Sequence, residues 1–369
     1  MELLLKNLTT IDGETKDVRL PGFKKEIVLD LKGYFLYPGL TNWHDHLEMN
    51  LYPKLGTPPY NNYTEWMKDI YRPKESPIRE IEKTDKDYRL IWGGLKNLIS
   101  GVTTVYHHNP LRSVVGKDSF PVFVPELEWA HSLFVEKTFR YSKDRPFIIH
   151  AGEGVDDFAA KETAQLDSLG FLKPNTYIVH GISADWRLIE SQGASVIWCP
   201  SSNLYMFNKT ADVKGRSNVL LGTDSTLTGS PTLLDEMRVA RKFVSKEEIF
   251  QMVTTNSRGF FISKKEIFDS HPADIMLVYD ERIKLQDETL GLPALKYGRF
   301  NVDVQKIKRH FEKKNRIKNI GTESSLATYI ALNFNEHTHF LQTSFVFTSR
   351  FFRNSIAFSE FRISSKSLS

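Results

Sequence analysis

Three short stretches of the chain concentrate side chains that bind metals and move protons: Trp43-His44-Asp45-His46, His150-Ala151-Gly152-Glu153 and Gly222-Thr223-Asp224. His180 lies between the last two. A divalent ion held by nitrogen and oxygen ligands, with one position left open, produces hydroxide near neutral pH, so the chemistry to expect is hydrolysis. In a strand, residues i and i+2 point to the same side, which lets His44 and His46 converge on one ion. An isolated His-x-His is more often a polar pair in a loop. This pair follows Tyr37-Pro38-Gly39-Leu40, where the first strand of a barrel should end. His150 closes an apolar run and Glu153 follows shortly after, which suits a ligand beside a proton-transfer group. Asp224 follows Gly222-Thr223 at another strand end, where a carboxylate can bind a metal and also accept a proton from water.

The elements that must position these groups are short and regular. Val102–Tyr106, Phe147–Ile149, Thr176–Val179, Ser195–Trp198 and Asn218–Leu221 read as strands, and the last four each deliver a polar residue or Cys199 at their C-terminal end. Apolar positions in Asp87–Ile99 fall at helical spacing, and Thr232–Val244 and Lys246–Thr254 also read as helices. Near-continuously apolar strands alternating with helices predict a parallel sheet buried on both faces, and a (β/α) barrel gathers its reactive groups at the C-terminal strand ends. The expected fold is therefore α/β: a (β/α)8 TIM-type barrel over 38–262, with a small β-rich domain built from its two flanks, 1–37 and 263–290. The first flank is punctuated by Gly13, Pro21-Gly22 and Gly33, and Pro272–Tyr279 supplies a strand from the second.

With 369 residues, 40% hydrophobic and 25% charged, the chain has room for one large domain and a small one. A formal charge of +4 is small for this length and argues against nucleic acid or a membrane surface as partner. Cys199 is the single cysteine, which excludes an intrachain disulfide and fits a reducing, cytoplasmic setting. The Met1–Lys6 segment lacks the form of a signal peptide, and no apolar run has the length of a membrane span. Lys306–Lys318 is basic and expected to be helical, and residues 322–369 lack Gly, Pro and Asp. Residues 291–369 are expected to be an accessory or poorly ordered extension, with no functional account.

Pro38-Gly39-Leu40-Thr41-Asn42-Trp43-His44-Asp45-His46, His150-Ala151-Gly152-Glu153, Val179-His180-Gly181, Cys199-Pro200-Ser201-Ser202-Asn203 and Gly222-Thr223-Asp224-Ser225 together resemble the amidohydrolase superfamily. Within it they resemble the branch of guanine and cytosine deaminases, S-adenosylhomocysteine deaminase and chlorotriazine hydrolases, over about residues 1–280. The resemblance implies one divalent ion, usually Zn2+ and sometimes Fe2+, on His44, His46, His150 and Asp224. It implies Glu153 as proton shuttle, His180 as the hydrogen-bonding group facing substrate, and Asn203 in the pocket. The expected reaction is hydrolytic deamination of a small nitrogen heterocycle, and a homodimer is compatible with it. Cyclic-amide opening, as in imidazolonepropionase-like enzymes, and chloro-heterocycle hydrolysis use the same site. An inactive barrel scaffold or an interaction protein is the reading from another class. A bridging carboxylated lysine would signal two metals, but Lys137 and Lys143 end no clear apolar strand.

The interval 109–149 is cramped for the third and fourth strands with their helices, and the loops there usually contact substrate. His107 and His108, which end the Val102–Tyr106 strand, and His131 are candidate pocket residues. Trp66, after the first strand, can stack on a planar ring.

Overall fold

The computed structural model describes residues 2–10, 14–21, 27–30, 34–117, 120–136, 138, 140–254 and 275–279. The expectations for Lys137, for the basic stretch Lys306–Lys318 and for the extension 291–369 lie outside the described residues.

Four strands open the chain: β1 (Glu2–Thr10), β2 (Thr15–Pro21), β3 (Ile27–Asp30) and β4 (Tyr34–Pro38). The strand expected from the far flank, β12 (Ile275–Tyr279), pairs antiparallel with β4, so one sheet in the order β12-β4-β1-β2, with β3 on β1, joins both ends of the described chain.

The alternating part follows. β5 (Leu40–Asp45) leads through a short 3-10 turn at Leu47–Met49 to α1 (Tyr63–Ile70), α2 (Ile78–Glu82) and α3 (Lys86–Ile99). β6 (Val102–His107), β7 (Glu128–Ala130) and β8 (Phe147–Ala151) come next, then α4 (Asp157–Ser168) and β9 (Thr176–His180). α5 (Trp186–Ser191), β10 (Ser195–Trp198), α6 (Pro200–Phe207), β11 (Val219–Leu221), α7 (Leu233–Ala240) and α8 (Lys246–Thr254) complete it. Strands β7 to β11 form one parallel sheet in sequence order, and β5 pairs parallel with β6. A parallel bridge between Asp45 and Asp224 links the end of β5 to the segment after β11. β8 to β11 are buried at every position, as expected for parallel strands covered on both faces.

These strands follow the order of a (β/α)8 barrel, with one departure. The third stave is reduced to Phe123, which bridges Thr104 and exchanges backbone hydrogen bonds with Thr103 and Val105. Among the described residues no helix lies between β6 and β8, and no ladder joins Phe123 to β7. A helical crossover between parallel strands takes about a dozen residues or more. Residues 124–127 are too few, so the crowding visible in the sequence is resolved by omitting helices.

Alternation along the strands sets what faces the barrel axis. Trp43, Tyr106, Ile148, Tyr177, Val179, Ile197, Cys199 and Leu220 form the inner core, where Trp43 and Tyr106 stack at 4.7 Å. Residues of opposite parity, such as Ile149, Ile178 and Val196, pack outward with Leu166 and Ile189 of the helices. A register shift between Asn42 and Asp45 in the β5–β6 ladder re-aims the end of β5. His44 and His46 then turn to one side and Asp45 to the other, against α3.

Candidate metal centre

The strand ends bring His44, His46, His150 and Asp224 together, with one ligand atom from each lying within 4.8 Å of all the others. The Nε2 atoms of His44 and His46 are each 3.6 Å from Asp224 Oδ1. Backbone hydrogen bonds hold the two chain segments in register: His46 N donates to Asp224 O at 2.8 Å, and Thr223 N and Asp224 N both donate to His44 O at 3.0 Å. Gly222 permits this approach, because a Cβ there would stand 2.8 Å from His44 Cβ. Asp224 and His180 both adopt left-handed backbone, at φ 63° and 72°. That conformation is uncommon outside glycine and tends to persist where the surroundings enforce it. At His180 it breaks the strand alternation, which would otherwise turn the ring outward with Ile178.

The hydrogen bonds leave the inward-facing atoms of these residues for a ligand. Asp224 Oδ2 accepts from Ser202 Oγ and Thr228 Oγ1, both at 2.8 Å, and Oδ1 faces the histidines. His150 Nδ1 is 2.8 Å from the carbonyl of His131; since a carbonyl only accepts, Nδ1 carries the proton and Nε2 the lone pair. His44 Nε2 is buried without a hydrogen-bond partner, an expensive state for a polar atom unless something else occupies the shared point. Three imidazole nitrogens and a carboxylate oxygen fit a divalent ion such as zinc. Burial, reinforced by His46 and His180, pushes His44 down to about 4, against the pull of Asp224, so at neutral pH it is uncharged and can ligate. Burial raises the Asp224 carboxyl, but the facing imidazoles of His44, His180 and His46 outweigh it, and the group sits well below the usual carboxylate range.

His150, Glu153 and His180 form a second, overlapping cluster. His180 Nε2 lies 3.4 Å from Glu153 Oε1. Burial, then the charges of Asp224 and Glu162, push the Glu153 carboxyl well above its ordinary value, which favours its protonated form. A bound cation would work against this rise. Gly152, at φ 65°, lets the chain leave β8 with Ala184 N 2.9 Å from where its Cβ would be. α1 docks on this turn: Tyr63 N donates to Glu153 O at 3.2 Å, and Asn62, the N-cap of α1, donates to Asp156, the N-cap of α4, at 2.6 Å.

Glu162 was not legible as a site residue. Its carboxylate accepts from Gly152 N at 2.8 Å and from Tyr63 Oη at 2.9 Å, and burial raises it to about 7. The available signal was its place on the buried stripe of α4, with Ala159, Thr163 and Leu166, where a carboxylate needs partners.

The candidate pocket residues separate. Asn203 stands behind His180, with Oδ1 2.8 Å from His180 Nδ1, so it orients that ring rather than facing open space. His108 shares the parity of Tyr106 and turns toward the ligands, but both its nitrogens are engaged, by His44 and by the Ala130 carbonyl. His107 has the opposite parity: Leu47 N reaches its Nδ1 at 3.3 Å and its Nε2 is 3.6 Å from Glu48 Oε2, so the expectation that it lines the pocket is corrected. The His131 ring stacks on His150 at 4.8 Å, and its Nδ1 is buried without a partner. Trp66 donates to Leu55 O at 3.1 Å and packs with Tyr60, Tyr63, Ile182 and Met206, so its ring is built into the loop rather than displayed. Lys143 is exposed in a turn.

Behind β5, Asp45 accepts from Asn50 at 2.7 Å and Asn97 at 2.8 Å, and the buried Lys96 ammonium lies 3.2 Å from it. Lys96→Met leaves this buried carboxylate without its cation and is expected to cost about 3–5 kcal/mol, read from the urea midpoint. Adding Asp45→Asn should return part of the loss. A cost below about 1 kcal/mol would mean the pair behaves as an exposed one.

No family model matches the chain. It is 25% identical over 342 residues to the 5-methylthioadenosine/S-adenosylhomocysteine deaminase of Pyrococcus furiosus, spanning 71% of this chain and 78% of that protein. An adenosine deaminase from Xanthomonas campestris, solved with bound zinc, superposes with a TM-score of 0.51 at 16% identity, over 78% of this chain and 86% of that one. The zinc complex of atrazine chlorohydrolase from Arthrobacter aurescens gives 0.53 at 14% identity, over 79% and 91%. In sequence the chain is similar to the archaeal deaminase, and it shares the barrel fold of the zinc-bound adenosine deaminase and atrazine chlorohydrolase.

Proposed function

We propose that the chain is a metal-dependent aminohydrolase that removes an amino group from a small nitrogen heterocycle, with one zinc ion on His44, His46, His150 and Asp224. The observation that carries this reading is the partnerless, buried His44 Nε2 facing Asp224 Oδ1, with the buried Glu153 carboxyl beside His180. When bound, the ion supplies ionised water at neutral pH. The remaining work falls to the chain's own groups. Asp224, ionised and fixed through Oδ2, takes up the water proton. Glu153 gives its proton to the ring nitrogen next to the carbon under attack, which makes that carbon a better electrophile. His180, its Nδ1–H held by Asn203 Oδ1, accepts at Nε2 the hydrogen bond of the hydroxyl that this carbon gains. Asp224 then passes its proton to the departing amine while Glu153 takes the proton of the new hydroxyl, which releases ammonia, leaves a keto heterocycle and restores both carboxyl groups.

The division into a barrel over 38–262 and a small domain from 1–37 and 263–290 belongs to the same reading, supported by the β12–β4 pairing. A cytoplasmic setting is supported by the single, buried Cys199. No helix among the described residues is long and apolar enough to cross a membrane.

Ammonia release from zinc-loaded protein, measured across thio-substituted adenosines, other purines, pyrimidines and aminotriazines, tests the reaction. Release from at least one ring class is expected. Loss of a cyclic amide or of chloride without any ammonia would replace deamination with one of the rival reactions.

A further inference from the structure

We propose that His108 is a positioning residue that decides which nitrogen of His44 is free to bind the metal. The proposal rests on the reading of His44 as a ligand. His108 Nε2 is 2.9 Å from the carbonyl oxygen of Ala130, and its Nδ1 is 3.3 Å from His44 Nδ1. A carbonyl oxygen has no proton to give, so the His108 proton sits on Nε2 and a neutral ring presents a lone pair at Nδ1. Two lone pairs cannot face each other at that distance, so His44 brings its own proton on Nδ1. Its lone pair then lies on Nε2, the buried atom without a partner that points toward Asp224 Oδ1. The chain of donors runs Nε2–H of His108 to Ala130, then Nδ1–H of His44 to His108, and ends in one unprotonated nitrogen aimed at the ligand cluster. Partners of this kind are known to fix ligand tautomer and orientation.

The His108 ring is held for this purpose. It stacks on His150 at 4.6 Å and meets Trp129 edge-on at 5.4 Å. Its bond to Ala130 also crosses from the end of β6 to the end of β7, the place where no ladder joins the staves among the described residues. Where the shortened 109–127 segment leaves the barrel without backbone pairing, a side chain makes the connection and carries the tautomer with it.

The first test is nitrogen NMR on metal-free wild-type protein, which needs no variant. A proton on His44 Nδ1 before any metal is added is expected; a proton on Nε2 would overturn the proposal. The second is zinc affinity by chelator competition. His108→Leu should bind zinc about 10–100-fold more weakly, while His108→Asn, whose side-chain oxygen falls near the lost Nδ1 acceptor, should recover most of that loss. Wild-type affinity in His108→Leu, with binding abolished in His44→Ala, would overturn the proposal and leave the ligand set standing. Wild-type affinity in His44→Ala would overturn the ligand set itself, and the proposal with it.

Discussion

Glu153→Gln is expected to lower kcat by at least about 10²–10⁴-fold, the range that a positioned acid or base contributes, with zinc content and thermal unfolding unchanged. The carboxyl is buried 3.4 Å from His180 Nε2, and burial with the charges of Asp224 and Glu162 favours its protonated form. Glutamine preserves the shape and a hydrogen-bond donor but has no proton to transfer. Neutral for neutral, the exchange adds no buried charge, so the fold should tolerate it. The diagnostic pattern is therefore a collapse in kcat with substrate binding retained. Turnover near the wild-type rate would remove Glu153 from the proton path, whatever the metal does.

Asp224→Asn is expected to abolish turnover by a different route. Asp224 contributes the only carboxylate among the four converging ligands, and its Oδ1 faces two imidazole nitrogens at 3.6 Å. Asparagine keeps an oxygen in place, and the Ser202 and Thr228 hydroxyls can still meet the side chain. It loses the negative charge that holds a divalent ion and the basic site that accepts the water proton. Zinc affinity should fall by more than the roughly 10–100-fold that changes to outer partners cost. Saturating zinc should not restore activity, because the proton acceptor is gone. Metal content by mass spectrometry, followed by assay in excess zinc, separates the two losses; full activity in excess zinc would confine Asp224 to metal binding.

The barrel's strands were legible because a strand buried on both faces needs apolar side chains throughout. Ile148-Ile149 before His150 and Tyr177-Ile178-Val179 before His180 are visible as strands with no knowledge of their neighbours, and so is the polar residue each one delivers. The register shift in β5 was not visible, nor was the left-handed turn at His180 that brings its ring inward. Both are imposed by packing between distant segments. His107 and His108 show the same limit at one residue's resolution. Period-2 alternation says they face opposite ways, but only the Trp43–Tyr106 stack shows which way is in. Lys96 and Glu162 were hidden because a charged residue on an amphipathic helix reads as solvated until its partner, Asp45 or Gly152, is found. The short 109–149 interval was legible as a shortage, but its outcome, a stave reduced to Phe123, required the structure.

The most direct test of the account is a zinc titration of chelator-stripped protein, read as ammonia release from a substrate found in the heterocycle panel. The account predicts no release before metal is added, a linear rise, and a break at one equivalent of zinc per chain. Undiminished release from the stripped protein would contradict it.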